Sequence, residues 1–243
     1  MTSLPSHLFA DSPARDARFE VRELWQDMVN LPPDHPEKTL EFLHRQMNEE
    51  VNSIEMCARN LSDFPDAPWE LRLAMARQCY DEARHVDAFR TLYEKRGGAV
   101  GRYPVLNFQY RILTAIDSLP ARLSVQNRSF EAAGIDAIQE GLESSVRSND
   151  TEFATLFDAQ LADEVQHVRY ANIWVHRLIE EGGPRVLFEL VRSVAQANEA
   201  LQVVSGGTIV TFPIASELRK EAGFTDQEIE TARELAAKFG KSP

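Results

Sequence analysis

From Thr39 onward apolar residues recur at helical spacing: Leu40, Leu43, Met47, Glu50, Ile54, Ala58 and Leu61 share one face at steps of three and four. A glutamate therefore stands inside an apolar stripe. The tract Phe64-Pro65-Asp66-Ala67-Pro68 breaks this helix, and a second begins near Trp69 with the face Leu71, Met75, Gln78, Glu82, His85, Phe89 and Leu92. Gly97, Gly98, Gly101 and Pro104 end it and open a long connection. A third helical region runs from about Tyr110, through a first-turn or kink proline at Pro120, to Glu131 and Gly134, with Ile116, Leu123, Asn127 and Glu131 on one face. A fourth, capped by Asp150, presents Phe153, Phe157, Gln160, Glu164, His167, Ala171, Trp174 and Leu178.

Helices two and four match position by position at an offset of 82, Gln78 falling on Gln160. The spacing from Glu50 to Glu82 is 32 residues and from Glu131 to Glu164 is 33, so the chain reads as two helical hairpins related by a pseudo-twofold. A partner for the fourth helix must extend well past Glu131, and the two glycines there, Gly134 and Gly141, predict a break with Asp136 as a new cap. Beyond Gly182-Gly183-Pro184 another helix reaches about Val204, and the capping box of Thr225 and Glu228 opens a final amphipathic helix. Strand-like alternation is confined to Thr208 to Phe212. Residues 1–36, with five prolines, read as an arm with a short helix around Phe19 to Val29; 37–182 form the bundle and 183–243 a helical extension packed on it.

Each half carries one short phrase, Asp81-Glu82-Ala83-Arg84-His85 and Asp163-Glu164-Val165-Gln166-His167, both D-E-x-x-H. This spacing places a carboxylate and an imidazole one turn apart on a helix. Two divalent cations in a buried core need several carboxylates to balance their charge, and Glu50, Glu82, His85, Glu131, Glu164 and His167 supply the set. Glu50 is preferred to Glu49 on phase, since Glu49 points about 100° away and meets solvent. Glu131 is chosen over Glu140 or Glu143 by its offset from Glu50. Asp81 and Asp163 are assigned as acceptors for the histidine N–H groups, holding the tautomer that binds metal, with a surface salt bridge as the alternative. Met47, Gln78, Asn127, Phe157 and Gln160 are candidates to line a small substrate pocket, or else ordinary core residues. His44 and His176 have no partner at ligand spacing and read as surface or structural.

Composition narrows the class. A net charge of −12 without a basic stripe argues against nucleic acid, two cysteines without a C-x-x-C pair argue against disulfides or thiolate sites, and no apolar run is long enough for a membrane span. The expectation is a cytoplasmic all-α protein.

These residues resemble the ferritin-like di-iron carboxylate superfamily, in which helices one and three give a Glu each and helices two and four an E-x-x-H. A closer likeness, to a ferritin-like branch labelled a domain of unknown function, is carried by Glu50-Val51-Asn52-Ser53-Ile54-Glu55, Glu131-Ala132-Ala133-Gly134-Ile135-Asp136, Asp163-Glu164-Val165-Gln166-His167-Val168 and Glu221-Ala222-Gly223-Phe224. The resemblance implies a four-helix bundle with a long crossover connection and added C-terminal helices. It also implies two irons, or a manganese and an iron, with O2 as co-substrate, an external electron donor, and hydroxylation, N-oxygenation, desaturation or bond cleavage of a small metabolite. A ferroxidase without an organic substrate is the alternative. The likeness leaves room for a reductase or ferredoxin partner and for a homodimer. Without a rubredoxin-type C-x-x-C segment or an extra histidine after Glu131, the chain departs from the rubrerythrins and the arylamine N-oxygenases.

Overall fold

The apolar stripes become helices where expected. The computed structural model describes residues 4–207 and 209–241. It is all-α: α1 (Lys38–Asp63), α2 (Trp69–Lys95), α3 (Phe108–Thr114), α4 (Leu119–Val125), α5 (Ala132–Arg147), α6 (Thr151–Ser205), α7 (Ser216–Glu221) and α8 (Asp226–Phe239). Two parallel pairings of two-residue strands complete it, Val21–Arg22 (β1) with Val105–Leu106 (β2) and Ile209–Val210 (β3) with Gly240–Lys241 (β4). Thr208, where strand alternation was expected to start, lies outside the described residues. Among the described residues no helix is long and apolar enough to cross a membrane.

The chain divides into two compact units, residues 1–115 with 199–206 and residues 116–198 with 207–243. In the first, α1 and α2 pack against each other across the short link 64–68, and their facing stripes bury Leu43, Met47, Met56, Leu71, Met75 and Phe89. The N-terminal arm is tied to α1 by Arg15, which grips Glu55 through both terminal nitrogens at 2.5 and 2.8 Å and donates to Asn48 and Asn52. Phe19 to Val29 is not helical beyond one 3-10 turn at Trp25–Asp27. Its backbone is used instead in the ladder to β2, where Val105 N–H donates to Glu20 O at 2.9 Å, so tertiary pairing overrides a weak helical pattern.

His44 is fully buried, not at the surface, in a box of Phe19, Tyr93 and Tyr103 rings whose centroids lie 5.4 to 5.9 Å away. Its Nε2 accepts the Gly101 N–H at 2.8 Å, which puts the proton of the neutral ring on Nδ1. Gly101 is required there: its φ is +87°, and a Cβ would lie 2.4 Å from Arg18 O. Burial lowers the His44 pKa from 6.5 to about 4. The unfolded chain therefore takes up a proton below pH 6.5 that the folded one refuses until about pH 4, so stability is full above 6.5 and falls through that window. The loss amounts to roughly 3 kcal/mol. Urea unfolding at pH 7 and 4.5 is expected to show a smaller loss for His44→Gln, which retains an acceptor, than for the wild type; equal slopes would refute this.

In the second unit, Pro120 occupies the first turn of α4, where its missing N–H costs nothing. No break follows Glu131. The backbone passes from α4 through a six-residue π-helix, Gln126–Glu131, directly into α5. Both glycines lie within α5: at Gly134 a Cβ would meet open space, and at Gly141 it would come within 3.0 Å of the Phe157 ring of α6, so the absence of a side chain makes room for that ring. Asp136 is not a cap; it lies buried inside α5 and pairs with Arg219. Helix α6 is interrupted where expected, at Gly183, whose φ of 65° and ψ of −156° end one helical segment before Pro184 begins the next.

Candidate functional site

Each unit assembles one triad of two carboxylates and an imidazole. In the first, α1 contributes Glu50 and α2 contributes Glu82 and His85, all at most 5% exposed. His85 Nδ1 stands 3.1 Å from Glu82 Oε2 and 3.4 Å from Glu50 Oε2. Gln78, one turn before Glu82, donates its amide to Glu82 Oε1 at 2.9 Å, fixing one oxygen while the other faces the imidazole. The thiol of Cys79, on the same helix, is pushed up by burial and then by the charge of Glu82, which keeps it protonated.

The second triad repeats this. Glu131 closes the π-helix, while α6 supplies Glu164 and His167, with His167 Nδ1 3.2 Å from Glu164 Oε2. Gln160 stands in the place of Gln78, its amide 3.5 Å from Glu164 Oε1. Asn127, one turn before Glu131, donates to the backbone oxygen of His167 at 3.1 Å. Glu140 and Glu143 do not join the triad; both pair with Arg147 at the surface.

In each triad one oxygen or nitrogen from every member lies within 4.8 Å of the others. Two donor atoms held about 2.1 Å from one ion sit roughly 3.0 to 3.4 Å apart, depending on the coordination angle. The separations of 3.1, 3.2 and 3.4 Å match that spacing. Oxygen-rich donors with one imidazole suit iron or manganese. Burying two carboxylates beside one imidazole is costly unless a cation compensates them. The donor set therefore fits a divalent metal in each triad.

The remaining candidates fall in several places. Asp81 is buried and receives Arg84 at 2.6 Å, with Arg77 at 3.6 Å, and Asp163 is half-buried. Met47 is buried in the first unit. In the second, Phe157 stacks on Phe153 with centroids 5.4 Å apart and presses on Gly141, which makes it a wall between α5 and α6. Glu49 does not stand free in solvent; it is half-buried with Arg45 3.8 Å away, and burial raises its pKa. Sequence periodicity missed the π-helix, which sets Asn127 and Glu131 four residues apart on a widened turn; such turns concentrate at functional sites.

The family described as "Protein of unknown function (DUF455)" matches residues 2–230. No curated protein and no solved structure matches the chain.

Proposed function

We propose that this chain, which belongs to the DUF455 family, is an O2-dependent non-haem di-metal oxidoreductase with a ferritin-like bundle. Glu50, Glu82 and His85 with Glu131, Glu164 and His167 would hold two irons, or a manganese and an iron. The observation that carries this reading is the doubling: two buried triads of identical composition, each with an imidazole nitrogen 3.1 to 3.2 Å from the glutamate three residues before it. One such cluster is a common accident; two at a sequence offset of 82 are not.

A bound metal pair would supply reductive activation of O2 and oxidation of a small organic metabolite by hydroxylation, N-oxygenation, desaturation or bond cleavage. The chain's own residues prepare that chemistry. Gln78 and Gln160 hold one oxygen of Glu82 and Glu164, so each carboxylate presents the other to its histidine. Met47 and Phe157 are buried apolar side chains on the helices that carry Glu50 and Glu164 and would help to keep water from the metals. The electron donor would be a separate reductase or ferredoxin.

Metal analysis after anaerobic Fe(II) loading tests the reading, followed by a pulse of O2. The expected result is about two ions per chain, a stoichiometric consumption of O2, and an optical change that a small organic substrate discharges. Less than one ion per chain after careful reconstitution would sink the proposal. Continued uptake of iron into mineral would replace it with a ferroxidase.

A further inference from the structure

Helix α2 carries two apolar stripes on opposite faces, and the fold buries one of them. The inner stripe holds Leu71, Met75 and Phe89 together with Glu82 and His85. The outer one is Trp69, Leu73, Ala76, Tyr80 and Ala83, followed by Asp87, with steps of four and three throughout. That is the seven-residue repeat by which one helix packs along another. All six positions are exposed, Trp69 at 65%, Leu73 at 52% and Tyr80 at 67%. A single exposed apolar side chain is ordinary, but three large ones aligned over about 17 Å of one helix form a patch. Tryptophan and tyrosine are also the side chains that most often anchor a protein interface.

The stripe is complementary to itself when a second copy of α2 lies antiparallel across it, the two-fold axis passing midway between Ala76 and Tyr80. Residues equally far from that midpoint, on opposite sides, then stand level. Tyr80 of each copy meets Ala76 of the other and Leu73 meets Ala83, so each of these large side chains faces a small one. Trp69 meets Asp87, whose carboxylate can accept the indole N–H. The edge beside the stripe repeats every seven residues as Glu70, Arg77 and Arg84, all exposed, and the same two-fold brings Glu70 of one copy beside Arg84 of the other, twice. Arg84 already lies along this face, its guanidinium carbon 5.8 Å from the Tyr80 ring centroid. Arg77 meets its like across the axis, and Asp81, whose Oδ2 lies 3.6 Å from Arg77 Nε, offsets part of that charge. A parallel pairing would instead set Tyr80 on Tyr80, alanine on alanine, Glu70 on Glu70 and Arg84 on Arg84.

We propose that this face of α2 is a homodimer interface, in which two copies of the chain pair antiparallel through Trp69, Leu73 and Tyr80. The contact uses the same patch on both copies and closes at two, so no open-ended array forms. Glu82 and His85 lie on the opposite side of α2, and the inference does not depend on what the triads bind.

Sedimentation of the whole 243-residue chain, without added metal, tests it. The range is about 1 to 200 µM, since one helix pair lies at the small end of specific interfaces. A reversible shift from one chain of 27.5 kDa to twice that mass is expected. Leu73→Glu, which buries a charge in the contact, should weaken the dimer at least about tenfold with an unchanged circular dichroism spectrum. Two charge variants read the antiparallel register with opposite signs. Glu70→Lys should weaken dimerisation about threefold or more, and Arg77→Gln should strengthen it about two- to threefold. A chain that stays monomeric across the range would overturn the proposal and leave the stripe to a helix of another protein. A dimer indifferent to Leu73→Glu would place the interface elsewhere, and one that Glu70→Lys leaves unchanged or Arg77→Gln weakens would refute the antiparallel pairing.

Discussion

Asp136→Ala is expected to lower the unfolding free energy by about 3 to 5 kcal/mol, the usual consequence of removing one member of a buried ion pair. Arg219 meets Asp136 as a fork, Nε to Oδ1 at 3.0 Å and Nη2 to Oδ2 at 2.6 Å, with both side chains at most 10% exposed. Asp136 Oδ1 also accepts the Ala215 N–H at 2.9 Å, so one carboxylate orders the start of α7 as well as Arg219. Removing it strands a guanidinium under the protein surface. The cost lies in that stranded charge more than in the lost attraction, and this gives the test its form. The double variant Asp136→Ala with Arg219→Met should recover a large part of the loss, whereas two independent contributions would add. Chemical denaturation of the two single variants and the double variant decides the matter; a loss below about 1 kcal/mol for Asp136→Ala would mean that water reaches the pair. Arg219→Met is also expected to displace Phe224, whose ring centroid lies 5.5 Å from the guanidinium carbon.

Asp136 illustrates what the chain makes legible and what it hides. Apolar periodicity located α1, α2 and the first segment of α6, because those stripes face dense cores and little competes with them. It likewise brought out Glu50, Glu82, His85, Glu164 and His167, whose signal is a polar residue at an inward phase. Asp136 fits the local rule for a cap, but its real partner lies 83 residues away in α7, and no short window holds that information. The π-helix is hidden for a different reason. It widens one turn by a residue between α4 and α5, a shift of phase that no residue type in Gln126–Glu131 marks. The break expected after Glu131 rests on Gly134 and Gly141, and α5 continues through both of them. The box around His44 is invisible for the first reason again, since Phe19, Tyr93 and Tyr103 come from three separate stretches of chain.

Glu82→Gln and Glu164→Gln should each abolish the thermal stabilisation that Fe(II) or Mn(II) confers, while leaving the metal-free protein as stable as the wild type or more so. The two halves of this expectation have opposite signs, which separates a metal ligand from a structural carboxylate. In the metal-free chain Glu82 is wholly buried and crowded by Glu50, with one candidate ligand oxygen of each within 4.8 Å of the other. Replacing a carboxylate by an amide of the same shape relieves repulsion between like charges and the cost of burying one of them, and Gln78 still finds an oxygen to bond. With metal the balance reverses. A cation at a hundred times its dissociation constant stabilises the folded chain by about 2.7 kcal/mol, and an amide oxygen in place of a carboxylate forfeits the charge on which that affinity rests. Melting curves taken anaerobically with and without metal read both signs in one experiment. Gln78→Leu and Gln160→Leu should fall between, weakening metal affinity by about 10- to 100-fold because the carboxylates lose their orientation but retain their charge. If Glu82→Gln instead destabilised the metal-free protein and left the response to metal intact, the carboxylate would be a hydrogen-bonding element of the α1–α2 pair, and the triads would be structural.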